Sequence, residues 1–196
     1  MQRGKKRIFL MAMNLIREGR YRELFQRIRY SMTAYSPSYN LWGRSHLMKE
    51  MKNDSRFYIR DDILRSILHK KPAKYEICKI RLGDIKRDWK GTIYSLTEVS
   101  PYAYITQGDK ERYIAYIKKH FEGRELSKEE FDNIVRRWIA RKDDTISSVK
   151  HNGYDVHKGI IVLDERNTVW DGQHRSCVLL SQFGPDYEVT VLRIYR

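Results

Sequence analysis

Apolar and polar positions alternate along this chain with several distinct periods. Over residues 6–33, Ile8, Met11, Ala12, Leu15 and Ile16 fall on one helical face. After Gly19 a second face continues through Tyr21, Leu24, Phe25, Ile28 and Met32. Residues 34–56 show no sustained period, and Tyr35, Pro37, Tyr39, Trp42 and Gly43 read as a connecting loop with aromatic anchors. Asp61 and Asp62 are placed to open a short helix through Leu68 that ends before Pro72. A β-branched run predicts a strand at Tyr75–Leu82, and Gly83-Asp84-Ile85 turns the chain. Residues 92–106 read as loop with short extended pieces.

The second half is more regular. Asp109 can cap a helix to about His120 with Tyr113, Tyr116 and Ile117 inward. Ser127 and Glu130 have the spacing of a capping box, followed by Phe131, Ile134, Val135, Trp138 and Ile139 at helical intervals. That aromatic stripe reads as core. A further helix is predicted over Asp144–Lys150, stopped by Gly153. Gly159–Leu163 reads as a buried strand, Asp164–Asn167 as a polar turn, and Thr168–Trp170 as the returning strand. Asp171-Gly172 then leads into a helix from Gln173 to Phe183. Gly184-Pro185 ends it, and Tyr187–Tyr195 closes the pattern as a last strand. The order of elements is that of an α+β fold with a mixed sheet and flanking helices.

Charge changes this picture. The chain has 196 residues, a formal net charge of +14 and a pI near 9.8, which favours anionic partners such as nucleotides, nucleic acid or anionic lipid. Residues 1–34 carry nine Lys/Arg against two acids, half of the net charge. An amphipathic basic helix there suits either peripheral contact with the inner face of a membrane or packing on its own domain with a solvated arginine face. Two cysteines, Cys78 and Cys177, form no metal or disulfide pattern, so a reducing, cytoplasmic setting is the default. No apolar run approaches the roughly 20 residues of a membrane span. Ile8–Ile16 follows basic residues as a signal peptide would, but lacks a small-residue cleavage site.

The candidate chemistry lies in Asp171-Gly172-Gln173-His174-Arg175. A helix N-terminus leaves backbone N–H groups unpaired and carries partial positive charge, so phosphate binds there. Gly172 permits a sharp turn and close approach. His174 and Arg175 add donors, and the arginine fork matches phosphate oxygens. Gly172, Gln173, His174, Arg175 and Ser176 form the expected phosphate-binding set. Asp171 could orient His174, hold a magnesium ion or accept a proton from an incoming hydroxyl. The bland alternative is a common Asp-Gly turn whose His and Arg only pair with the Asp.

The stretch Gly159–Leu180 resembles the signature of the ParB/sulfiredoxin superfamily: a strand, a polar turn, and an Asp-Gly-x-His-Arg loop opening a helix. Lys79–Ile85 is similar to that superfamily's opening strand and turn, Ile146–Gly153 to its short helix, and Glu188–Tyr195 to its closing strand. The resemblance spans residues 73–196 in outline and leaves 1–72 as a basic helical N-terminal extension. It implies a nucleotide-binding domain for ATP or another nucleoside triphosphate, with magnesium. Sulfiredoxins carry a cysteine where Gln173 stands, and partition proteins continue into a DNA-binding domain after this module, so both roles are disfavoured. What remains resembles the kinase-like branch: a phosphotransferase acting on a small hydroxylated molecule or glycan intermediate. Asp171 and His174 are its catalytic candidates at the loop, with Glu98 or Asp84 as a second carboxylate. A nucleic-acid-binding protein and a non-catalytic nucleotide-binding regulator are the alternatives.

Overall fold

In the computed structural model the described residues are 41–196, apart from Lys71 and Glu125 and the side chains of residues 41–45. The two basic helices read over residues 6–33 therefore lie outside the described residues.

Among the described residues thirteen elements follow one another: α1 (Leu41–Asn53), α2 (Asp61–His69), β1 (Lys74–Arg81), a 3-10 turn (Leu82–Asp84), β2 (Lys86–Trp89), β3 (Thr92–Ser95), α3 (Ser100–Gln107), α4 (Lys110–His120), α5 (Lys128–Asn152), β4 (Ile161–Asp164), β5 (Val169–Asp171), α6 (Gln173–Phe183) and β6 (Glu188–Tyr195). The fold is α+β. Four strands form a mixed sheet in the order β1-β6-β4-β5, and β2 and β3 form a separate hairpin. β1 runs antiparallel to β6, β6 parallel to β4, and β4 antiparallel to β5.

Both faces of the sheet are covered, which explains why every residue of β4 is buried. On one face Ile80, Ile161, Leu163, Val189 and Val191 meet Cys177 and Val178 of α6 and Ile146 and Val149 of α5. On the other, Ile160, Val162, Leu192 and Ile194 meet Met51, Phe57, Leu64 and Ile67. The helices from the second half of α1 through α2 are thus one layer of the core. The compact body begins at His46, upstream of the boundary placed at residue 72 from the sequence. A third cluster joins α4 and α5 through Tyr113, Ile117 and Val135, with Tyr104, Phe121 and Trp138 against it.

Three sequence expectations are corrected. Part of the segment read as loop over 34–56 is helical: α1 runs over Leu41–Asn53, with Met51 buried on the sheet side. The span 92–106 holds ordered elements. Lys90 and Gly91 both take positive φ, 52° and 87°, and so close a tight β2–β3 hairpin. Pro101 sits in the first turn of α3, where its missing N–H costs nothing, and left-handed Gly108 ends the helix. Finally, Asp144–Lys150 is no separate helix but the end of the 25-residue α5. The Ser127/Glu130 capping box opens that helix as read, and Asp109 caps α4 through Arg112 N.

Candidate anion-binding site at the start of α6

β5 delivers Asp171 to the edge of the sheet, and Gly172 turns the chain into α6 with φ 90°. A side chain at Gly172 would be strained by that φ, and its Cβ would lie 2.9 Å from Ile161 Cγ1. With glycine as the N-cap, no side chain caps the helix. The first helical bond runs from Ser176 N to Gly172 O at 2.9 Å. The N–H groups of Gln173, His174 and Arg175 are therefore left without intrahelical acceptors.

The side chains of the motif divide between core and site. Arg175 belongs to the site: its Nη2 donates to Asp171 Oδ2 at 2.9 Å and to Ile160 O at 3.2 Å, while its buried Nε has no partner. Gly159 makes room for this guanidinium, since a Cβ there would collide with Arg175 Nη1. His174 faces the other way. Its ring is buried and shares a 2.6 Å hydrogen bond between Nε2 and the Tyr113 hydroxyl. Burial, and then the charges of Lys142, Arg141 and Arg175, hold it well below the usual histidine range, so the ring is neutral. The imidazole therefore offers no cation to a phosphate, its Nε2 is taken up by Tyr113, and what His174 presents at the helix start is its backbone N–H. The Ser176 hydroxyl is likewise spent, donating to Gly172 O at 3.1 Å inside the core. Gln173 Oε1 accepts from Tyr116 at 3.3 Å, and its buried Nε2 has no partner.

Neither of the more distant acids joins the loop. Glu98 accepts from Ser95 N at 2.7 Å, which holds its pKa below the usual glutamate range, so it is a capping acid of the β3–α3 turn. Asp84 is exposed in the 3-10 turn after β1. Complete burial pushes the Cys177 thiol up, making it an apolar packing group and not a nucleophile.

The structure adds residues that the motif does not contain. Lys142 on α5 is shifted down to about 8, first by burial and then by repulsion from Arg141, with Arg60 and Arg175 adding to it and Asp171 opposing. Lys142 and Arg141 have no carboxylate within ion-pair distance among the described residues. Cations from three parts of the chain thus act on Lys142; of these Arg60 is paired with Asp62 and Arg175 with Asp171, which leaves Arg141 and Lys142 without a carboxylate partner. Tyr154 ties the floor together by accepting from Ile161 N at 2.8 Å and donating to Thr190 O at 2.9 Å. Burial raises it to about 12, so it stays protonated.

Lys142 carries a signal in the sequence. On the continuous α5 the inward stripe is Val135, Trp138, Ile139, Lys142, Ile146 and Val149; a lysine is uncommon in such a stripe, and its Nζ lies 5.9 Å from the centroid of the Trp138 ring. Arg60 and Arg141 carry no comparable signal.

No family model, curated protein or solved structure matches the chain. The fold and the site by themselves define an α+β protein with a cationic, uncapped helix N-terminus at the edge of its sheet.

Proposed function

We propose that the start of α6 binds the phosphates of ATP or another nucleoside triphosphate, and that the protein is a phosphotransferase toward a hydroxyl of a small molecule or glycan intermediate. One observation carries the anion reading: half-buried Lys142, with no carboxylate in ion-pair distance among the described residues, lies in the field of Arg141, Arg60 and Arg175, of which Arg60 is paired with Asp62 and Arg175 with Asp171. Burying like charges together is costly, and a bound polyanion removes that cost. The unpaired N–H groups behind Gly172 add donors to the same anion.

The resemblance of 159–180 to the ParB/sulfiredoxin signature supports a nucleotide as the source of that anion. In the reaction, the acceptor oxygen bonds the terminal phosphorus as the bond to the bridging oxygen breaks, releasing the nucleoside diphosphate. The acceptor proton passes to Asp171, the carboxylate of the loop. Positioning and charge neutralisation by Arg175, Lys142 and the helix start supply the catalysis. Among the described residues no three His, Cys, Asp or Glu side chains gather to hold a metal. A magnesium ion would therefore be held chiefly by nucleotide phosphates, with Asp171 as its protein contact, and would supply charge neutralisation.

Calorimetric titration with ATP and CTP, followed by labelled-ATP turnover with candidate acceptors, tests the reading. Arg175→Ala and Lys142→Met should each weaken nucleotide binding about tenfold or more, the worth of a charge-assisted contact. A wild-type protein that binds neither nucleotide, or variants that bind as well as wild type, would sink it.

A further inference from the structure

A second cluster of cations lies on the other side of the edge strand, in a cleft of about 360 Å³ between α2 and β5. Its lining includes Lys70, Arg87, Arg166, Thr168, Trp170 and Arg196. The size lies in the range of small-molecule sites.

The acids of this cleft are already engaged. Asp164 Oδ1 accepts from the backbone N–H of Arg166 and of Thr168, and its Oδ2 lies 3.7 Å from the Arg166 guanidinium. Asp88 accepts from Gly91 N, and its Oδ2 also lies 3.7 Å from Arg166. Arg166 is thus the counterion of both carboxylates. Lys70, Arg87 and Arg196 are left, with no carboxylate in ion-pair distance of any of them among the described residues. Lys70 Nζ stands 4.3 Å from the centroid of the Trp170 ring and the Arg196 guanidinium 5.3 Å from it, which gathers both at one side chain. Burial and the nearby charges of Arg196 and Arg87 act against the Lys70 ammonium, with Asp164 and Asp88 opposing.

The floor of the cleft points to a ligand independently of charge. Thr168 is 3 % exposed, and its hydroxyl has no hydrogen-bond partner. Arg87 spends Nη1 on Val169 O at 3.1 Å, while its buried Nε is also unpartnered. Buried polar groups without partners are rare because each forfeits its hydration, and two in one cationic cleft mark a place for acceptor oxygens.

We infer that this cleft is a second binding site, distinct from the loop at α6, and that it takes a phosphate group, free or as the monoester of a small organic molecule. Three cations and a hydroxyl match a group with three terminal oxygens and nearly two negative charges better than they match a carboxylate. The inference does not depend on nucleotide binding at α6. Trp170 and Asp171 are consecutive residues of β5, so the two sites share that strand but not their ligating side chains.

Calorimetric titration of the full chain with inorganic phosphate and, separately, glycerol 3-phosphate tests it. Both Lys70 and Arg196 lie at the rim, so the double variant Lys70→Met/Arg196→Met keeps the fold. It should raise the dissociation constant about tenfold or more. Thr168→Val should raise it in the same direction, and both effects should persist in an Arg175→Ala background, which weakens phosphate binding at the α6 loop. Tighter binding of glycerol 3-phosphate than of inorganic phosphate identifies a monoester as the ligand; the reverse order identifies the free ion. The inference is overturned if neither probe binds at about 10 mM, or if, in the Arg175→Ala background, Lys70→Met/Arg196→Met leaves binding unchanged.

Discussion

Lys142 is the residue on which the proposed site turns. Its ammonium titrates near 8 because burial and three neighbouring cations disfavour its charged form. A bound phosphate favours the charged form, so binding is linked to proton uptake at this lysine. As pH rises through about 8 the free protein loses that proton, and nucleotide affinity should fall, by at most about tenfold per pH unit. Titrations between pH 7 and 9 should show this fall for wild type and a flatter profile for Lys142→Arg, whose charge persists. His174 shows the opposite use of burial. There the same depression keeps a ring neutral and locked to Tyr113, and a residue that reads as a catalytic histidine becomes a packing group. Nothing in the five-residue motif distinguishes those two fates, since the motif does not state which side of α6 meets α4.

At the scale of elements, the site is made by the junction of β4, β5 and α6. Two glycines set that junction. Gly172 provides the left-handed turn, and Gly159 leaves the space that the Arg175 guanidinium occupies. Gly159→Ala should displace the guanidinium from Asp171 and Ile160 O and weaken nucleotide binding as much as Arg175→Ala does. Measured affinity of the single and double variants checks this: the double variant should be no weaker than Arg175→Ala alone, because both act through one side chain. The strand–turn–helix order of 159–183 was legible because its signals are local: a β-branched run, a polar turn, Asp-Gly, and a Gly-Pro stop. α5 was legible at its capping box but not in its length. With the stripe ending at Ile139 and a separate helix over Asp144–Lys150, Lys142 falls between the two expected helices and outside either stripe. The β2–β3 hairpin was missed because Lys90-Gly91 is an uncommon pair for a turn with two positive φ values.

For the molecule as a whole, the layer before β1 decides how the domain is defined. Leu64 and Ile67 are almost fully buried against Val162 and Leu192, the central strands of the sheet. Leu64→Ala should therefore cost about 2–5 kcal/mol, the usual penalty for a core cavity. Urea unfolding would register it as a lower midpoint at an unchanged slope. A loss close to zero would mean that α2 is an accessory to a domain starting at residue 73. Among the described residues no helix is long and apolar enough to cross a membrane. The peripheral membrane contact suggested for residues 1–34 falls outside the described residues.

The α+β class, the position of α6 and the Asp171–Arg175 loop are written in the order of residues, because each rests on interactions between neighbours in the chain. What that loop faces follows from the packing of distant segments. That packing brought Arg60 and Lys142 to Arg175 and Asp171, turned His174 inward, left Glu98 capping its own turn, and gathered Lys70, Arg87 and Arg196 beyond β5. The physical reason is that charge acts through space. A cation spends its influence on whatever the packing of apolar faces places nearby, and that packing joins residues more than a hundred positions apart.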